Sequence, residues 1–321
     1  MHTISESRFR RLFIVLCALP AVCLIWSGCA SPVGEPDAVA RKSEPQLIRV
    51  PYYSAKMDAE RDYFVYLPPG FERQDQWPVI LFLHGNGERG NGKDELGYVL
   101  KHGPIFEAWC QKQDLPFIII APQLPMYDQG EVSYIKDRRP SDIPQRLPEG
   151  INPRPWFPHS PEPMQGQLAE EIPAEWESYD FDHDPRGWNT MADEVMGMLD
   201  SVLVKYKGDP HRVYLTGLSS GGFGTWYLAA KHPEKFAAIA PVVGLAVPSM
   251  MPPLARMPVW AFAGGRDGGV PVGRFYPLLN KLEELGNPEV RFTIEADLGH
   301  DTFIRTYMGA DLYEWFLTHS N

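Results

Sequence analysis

From Asp62 onward, short apolar runs alternate with longer amphipathic segments, and this alternation restricts the fold more than any other feature of the chain. Runs at 63–67, 78–83, 117–121, 213–216, 236–243, 259–262 and 290–295 read as strands. Segments at 93–109, 189–205, 222–231, 274–285 and 303–317 read as helices. The 117–121 run, Phe-Ile-Ile-Ile-Ala up to Ala121, is apolar at every position, as a strand covered on both faces requires. Strands alternating with helices predict an α/β fold, a mostly parallel central sheet flanked by helices. The chain has no internal repeat, and 321 residues with 44% hydrophobic content suffice for one large core. A formal charge of −11 argues against nucleic acid as a partner, since a phosphate backbone needs a basic face.

One stretch breaks the rhythm. Between Gln123 and Gly187, proline recurs from Pro125 to Pro185, which precludes regular helix or central strand over most of it. Tyr127, Tyr134, Trp156, Phe157, Trp176, Tyr179 and Phe181 are too many aromatics for a solvated linker. The 124–187 segment is therefore expected to be a long Pro-rich cap or loop insertion. Its Asp182-His183-Asp184 cluster reads as a polar loop, because no second histidine is spaced to complete a metal site. No metal and no cofactor is expected.

The N-terminus carries a different message. Arg8, Arg10 and Arg11 precede an almost wholly apolar run at 12–25 and the small residues Ser27 and Gly28, the pattern of an export signal. The run is shorter than the ~20 residues that span a bilayer. Ser27-Gly28-Cys29-Ala30 resembles a bacterial lipobox, so Cys29 is the expected lipidation site, with Trp26 in place of the usual aliphatic residue. The domain plan is then a lipoprotein-type signal at 1–29, a flexible Pro- and Ala-rich tether at 30–46, and one large α/β domain at 47–321. The expected location is outside the cytoplasm, membrane-anchored through lipid. Cys110 is the one cysteine beyond the signal, which leaves no internal disulfide to form there.

The chemistry is read from Gly217-Leu218-Ser219-Ser220-Gly221, a G-x-S-x-G pattern placed between a strand at 213–216 and a helix at 222–231. Such a turn presents its central serine in exposed, strained geometry. Ser219 holds that position, not Ser220. A serine hydroxyl needs a base, and the base an orienting acid. Asp267 stands at the tip of a glycine-rich loop after the 259–262 strand, with Asp297 and Asp301 as less suitable competitors. His300 is the sole histidine between Asp267 and His319, so it is the expected base. The oxyanion needs preorganised N–H donors, assigned to the amides of Ser220 and Asn86. His84, at the end of the 78–83 strand, reads as structural.

Leu83-His84-Gly85-Asn86-Gly87-Glu88-Arg89-Gly90, Ala121-Pro122-Gln123, the 212–222 segment, Phe236 to Pro241, Asp267 to Pro271 and Gly299-His300 together resemble the esterase branch of the α/β-hydrolases. That group includes feruloyl and acetyl-xylan esterases, phospholipase/carboxylesterase-like proteins and polyhydroxybutyrate depolymerases. The resemblance implies an α/β-hydrolase fold and the same Ser219, Asp267 and His300. The chain departs from the group in its longer insertion and in Ser220, where methionine is common. The expected activity is a serine esterase working through an acyl-enzyme on a small-molecule or polysaccharide-linked ester, with aryl or sugar esters favoured by the aromatic insertion. The alternatives are a serine peptidase related to the prolyl oligopeptidase catalytic domain, and a non-catalytic envelope binding protein on a hydrolase scaffold.

Overall fold

The computed structural model describes residues 43–146, 148 and 187–321. Eight strands form one sheet in the order β1-β2-β4-β3-β5-β6-β7-β8. They are β1 (Gln46–Ser54), β2 (Ala59–Leu67), β3 (Trp77–Leu83), β4 (Ile118–Ala121), β5 (Gly208–Leu218), β6 (Ala238–Val242), β7 (Val259–Gly264) and β8 (Val290–Glu295). β1 with β2 and β2 with β4 pair antiparallel, and every other pairing is parallel. This is the mostly parallel α/β sheet that the alternation predicts.

Two hydrophobic cores explain why the central runs are apolar without a break. Successive strand side chains point to opposite faces. In β3, Val79, Leu81 and Leu83 join one core with Trp188, Val195, Leu199 and Trp226. Ile80 and Phe82 join the other with Tyr307, Leu312 and Phe316. Helices Ala192–Lys205 and Ser220–Lys231 cover the first face, and Thr302–Met308 and Asp311–Leu317 the second. Each fully buried large side chain contributes about 1.5–3 kcal/mol, enough to hold a few strained residues at the sheet's edge.

Three expectations need correction. β1 was not anticipated as a strand, and Gln46, assigned to the tether, begins it and pairs with Leu67. β1 is an edge strand with mixed exposure and a central Pro51, so it lacks the apolar signature of the inner strands. The helix expected at 93–109 is broken: a 3₁₀ segment, Leu96–Lys101, ends at extended His102, and helical turns resume over Gly103–Ile105 and Phe106–Cys110. Gly103 has φ of 82°, and a Cβ there would lie 2.1 Å from Cζ of Phe82, so close packing on β3 forces the break. The helix expected at 303–317 is two helices, separated where Gly309 turns extended.

The predicted signal, Cys29, most of the tether, and the insertion at 147 and 149–186 with its Asp182-His183-Asp184 cluster lie outside the described residues. The described start of the insertion, 124–146, is irregular apart from short turns and the four-residue helix Ser133–Lys136.

Candidate active site

The site sits beyond the carboxyl ends of the parallel strands, where open α/β sheets place their ligands. β5 runs straight into Ser219, which has φ of 53° and ψ of −120° before the Ser220–Lys231 helix begins. A non-glycine residue in this region costs on the order of 1–3 kcal/mol and persists only where its surroundings fix it. Here the Ser219 amide donates to the Val242 carbonyl at 3.0 Å, and the Ser219 carbonyl accepts from Phe223 N–H at 3.1 Å. The flanking glycines are sterically required: a Cβ on Gly221 would lie 1.9 Å from the Leu83 carbonyl oxygen.

The three residues singled out in the sequence come together as a hydrogen-bonded chain. Ser219 Oγ lies 2.8 Å from Nε2 of His300, and Nδ1 of His300 lies 2.7 Å from Oδ2 of Asp267. Asp267 is buried, and its Oδ1 accepts from the amides of Gly269 at 2.8 Å and Val270 at 2.9 Å. One carboxylate oxygen is thus fixed by its own loop, and the other is presented to the imidazole. The Arg266 amide donates to the Leu298 carbonyl at 2.9 Å, tying the aspartate loop to the histidine loop. Asp297 and Asp301 are committed elsewhere. Asp297 receives both terminal nitrogens of Arg305, which hold its pKa down at about 2, and Asp301 Oδ1 accepts from the Gly299 amide at 3.1 Å.

Asn86 and Ser220, assigned as oxyanion donors, begin a 3₁₀ turn (Asn86–Glu88) and the Ser220–Lys231 helix. N–H groups at such first positions have no acceptor within their own helix. Asn86 and Ser219 line one cavity of about 280 Å³ with His300, Glu88, Tyr134 and Phe303. The Asn86 side chain is already engaged: Nδ2 donates to Tyr134 Oη at 2.8 Å, and Oδ1 accepts from Arg89 Nε.

Sequence reasoning missed what braces this loop. Arg138, from the described start of the insertion, donates to the carbonyls of Gly87 at 2.8 Å and Arg89 at 2.7 Å. Arg89 in turn donates to the Pro125 carbonyl at 2.9 Å. The insertion therefore builds the Gly85–Glu88 loop as well as bordering it through Tyr134. No local pattern in the sequence marks Arg138 for this task. His84 is fully buried and out of the Ser219 chain. Its Nδ1–H donates to the Gly85 carbonyl at 2.6 Å, its Nε2 accepts the Leu124 amide at 2.9 Å, and burial pushes its pKa down to about 3. It is a neutral structural strut between the loop and the strand exit of β4. Glu88, Tyr134, His102 and Phe303 were likewise not singled out as site residues. No cluster among the described residues has the ligands to hold a metal ion.

No family model matches the chain. Among curated proteins, a poly(3-hydroxyalkanoate) depolymerase C from Paucimonas lemoignei is 47% identical over 50 residues, 16% of this chain and 12% of that protein. A feruloyl esterase B from Neurospora crassa is 42% identical over 52 residues, 16% of this chain and 18% of that protein. The chain thus spans less than a fifth of the length of either of these relatives. Among solved structures, a thermostable esterase superposes with a TM-score of 0.56 at 24% identity, covering 86% of this chain and 63% of that one. With its strand order and strand-turn-helix serine, the chain has the α/β-hydrolase fold.

Proposed function

We propose that this protein is a carboxylic ester hydrolase in which Ser219 is the nucleophile, His300 the general base and Asp267 the residue that orients His300. The observation that carries the reading is the Ser219–His300–Asp267 hydrogen-bond chain, with both links under 3 Å. Nδ1–H of His300 donates to Asp267, so Nε2 is left bare to take the Ser219 proton as Oγ attacks the ester carbonyl. The tetrahedral oxyanion is held by the amides of Ser220 and Asn86. His300 then returns its proton to the departing alkoxide, leaving an acyl group on Ser219. A water activated by the same imidazole releases the acid.

Esters are preferred to amides because an amine leaves only when fully protonated, whereas an alkoxide leaves readily. Identity with a feruloyl esterase and a polyester depolymerase over short segments supports the same class. The rings of Tyr134, His102 and Phe303 at the cavity favour a planar apolar group, such as an aryl ester. We further propose export and lipidation at Cys29; palmitate labelling that is equal in wild type and Cys29→Ser would end that part. The activity is tested by comparing p-nitrophenyl acetate with an aminoacyl anilide. Rapid turnover of the ester, abolished in Ser219→Ala, is expected. Faster cleavage of the anilide would turn the reading to a peptidase.

A further inference from the structure

The turn that carries the Asn86 amide does not hold its own shape. Its internal hydrogen bonds are long, 3.4 Å from the Glu88 amide to the Gly85 carbonyl and 3.5 Å from the Arg89 amide to the Asn86 carbonyl. Side chains outside the turn supply the short ones. Nδ1–H of His84 donates to the Gly85 carbonyl at 2.6 Å, and Nε2 of Gln123 donates to the Glu88 carbonyl at 2.8 Å. The carbonyls of Gly87 and Arg89 both accept from Nη1 of Arg138, at 2.8 and 2.7 Å. This loop also packs on the nucleophile, since a Cβ added to Gly85 would lie 3.5 Å from Cβ of Ser219.

His84 and Gln123 stand where β3 and β4 leave the sheet, whereas Arg138 comes from the insertion. Its side chain is only 5% exposed, and a guanidinium withdrawn from water needs close partners to replace its hydration. Besides the two carbonyls, it has Glu95 Oε1, which accepts from Nη2 at 3.1 Å, and the Tyr98 ring, whose centre lies 4.1 Å from Cζ. The guanidinium is a rigid planar fork. With Nη2 anchored on Glu95 and the plane laid on Tyr98, Nη1 has no freedom left, and its two hydrogens serve one carbonyl each. The far end of the turn is thereby clamped. At the near end, the Gly85 carbonyl and the Asn86 N–H share one planar peptide, so the bond from His84 sets its tilt. Without Arg138 the turn is free to pivot about Gly85, and the Asn86 N–H moves with it.

We propose that Arg138 is a positioning residue for ester cleavage: by clamping the Gly87 and Arg89 carbonyls it holds the Asn86 N–H where the oxyanion forms. Through this one side chain the insertion governs stabilisation of the tetrahedral state and leaves the affinity for the uncharged ester almost untouched. Donors aimed at developing charge act only when they are held in place beforehand. The inference rests on the ester hydrolase reading above, with Asn86 as one of the two oxyanion donors.

The test compares inhibition of the full chain by benzyl trifluoromethyl ketone and by benzyl methyl ketone, in wild type, Arg138→Met and Arg138→Lys. Ser219 Oγ adds to the trifluoromethyl ketone carbon, the carbonyl π pair moves to oxygen, and the serine proton passes to Nε2 of His300, which leaves an oxyanion in the hole. The methyl ketone binds without addition and reports the ground state. The wild type is expected to bind the trifluoromethyl ketone at least about a hundredfold more tightly. In Arg138→Met, which fills the space but donates nothing, that preference should fall about tenfold or more, with methyl ketone affinity within about twofold of wild type. Arg138→Lys keeps the charge without the paired grip on Glu95, so its preference should fall less, by about threefold. Inhibition constants do not depend on how much of the protein is folded, so a purely structural role would leave the preference unchanged. An unaltered preference in folded Arg138→Met, equal weakening of both ketones, or a wild-type preference under about tenfold overturns the inference. If Arg138→Met does not fold, Arg138→Lys decides, and an unaltered preference there overturns it. The broader ester reading is judged separately, on wild-type turnover of p-nitrophenyl acetate.

Discussion

Replacing Asp267 with asparagine should disable the site without disturbing its shape, and the geometry says why. Oδ1 of Asp267 accepts two amides, from Gly269 and Val270. An asparagine in the same place must keep its carbonyl oxygen there, because an NH₂ group facing two N–H donors would leave all three unpaired. Its NH₂ then occupies the position of Oδ2, 2.7 Å from Nδ1 of His300. Since NH₂ only donates, Nδ1 must become the acceptor and the ring proton moves to Nε2. That nitrogen, 2.8 Å from Ser219 Oγ, can no longer accept the serine proton. Loss of the productive tautomer is worth ~10³- to 10⁴-fold in kcat, or about 4–5.5 kcal/mol of barrier. Steady-state turnover of p-nitrophenyl acetate by purified Asp267→Asn, with thermal unfolding as a check on the fold, measures this directly. A variant that folds and keeps more than about a tenth of wild-type kcat would refute the assignment of Asp267 as the orienting group.

Strain at Ser219 gives a second expectation: Ser219→Gly and Ser219→Ala both lose activity, but the glycine variant accepts φ of 53° freely and should unfold about 2 °C higher than the alanine variant in calorimetry. Equal melting temperatures would remove the strain. His84 is held neutral with a pKa near 3, below its ordinary value. Unfolding lets it take a proton below about pH 6.5, so its contribution to stability is complete above that pH and is lost as pH falls toward 3, by up to about 1.4 kcal/mol per unit. Denaturant titrations of wild type and His84→Asn at several pH values check this, and identical slopes would contradict it. Cys110 is buried, with its thiol pushed up to about 12, so iodoacetamide should spare it in the native chain and alkylate it in guanidinium, as read by peptide mapping. Alkylation of the native protein at Cys110 would show that burial does not protect it.

Inner strands were legible because burial on both faces writes an unbroken apolar run, as in β3 and β4. β1 was not, since one edge strand half in solvent reads like any mixed segment. The break at His102 and Gly103 depends on the contact with Phe82, which is distant in sequence and invisible to periodicity. At the site, Ser219, Asp267 and His300 each carried a local sign: a G-x-S-x-G turn, an aspartate in a glycine-rich loop after a strand, and a histidine past the last strand. Even the Asp267 contacts to Gly269 and Val270 are local. Glu88, His102 and Arg138 carried none, because each owes its surroundings to side chains brought together only by the folded sheet. His84 was readable as structural from its place at a strand end, but its partners Leu124 and Trp188 were not.

The most direct measurement for the chain as a whole is covalent trapping. A fluorophosphonate probe reacts only with a serine whose proton is removed by a neighbouring base and whose phosphoryl oxygen is stabilised by nearby donors. Mass spectrometry of the labelled protein should place a single adduct on Ser219, lost in Ser219→Ala and strongly slowed in His300→Ala. An unlabelled folded wild-type chain, or an adduct on Ser220 with Ser219 untouched, would contradict the account.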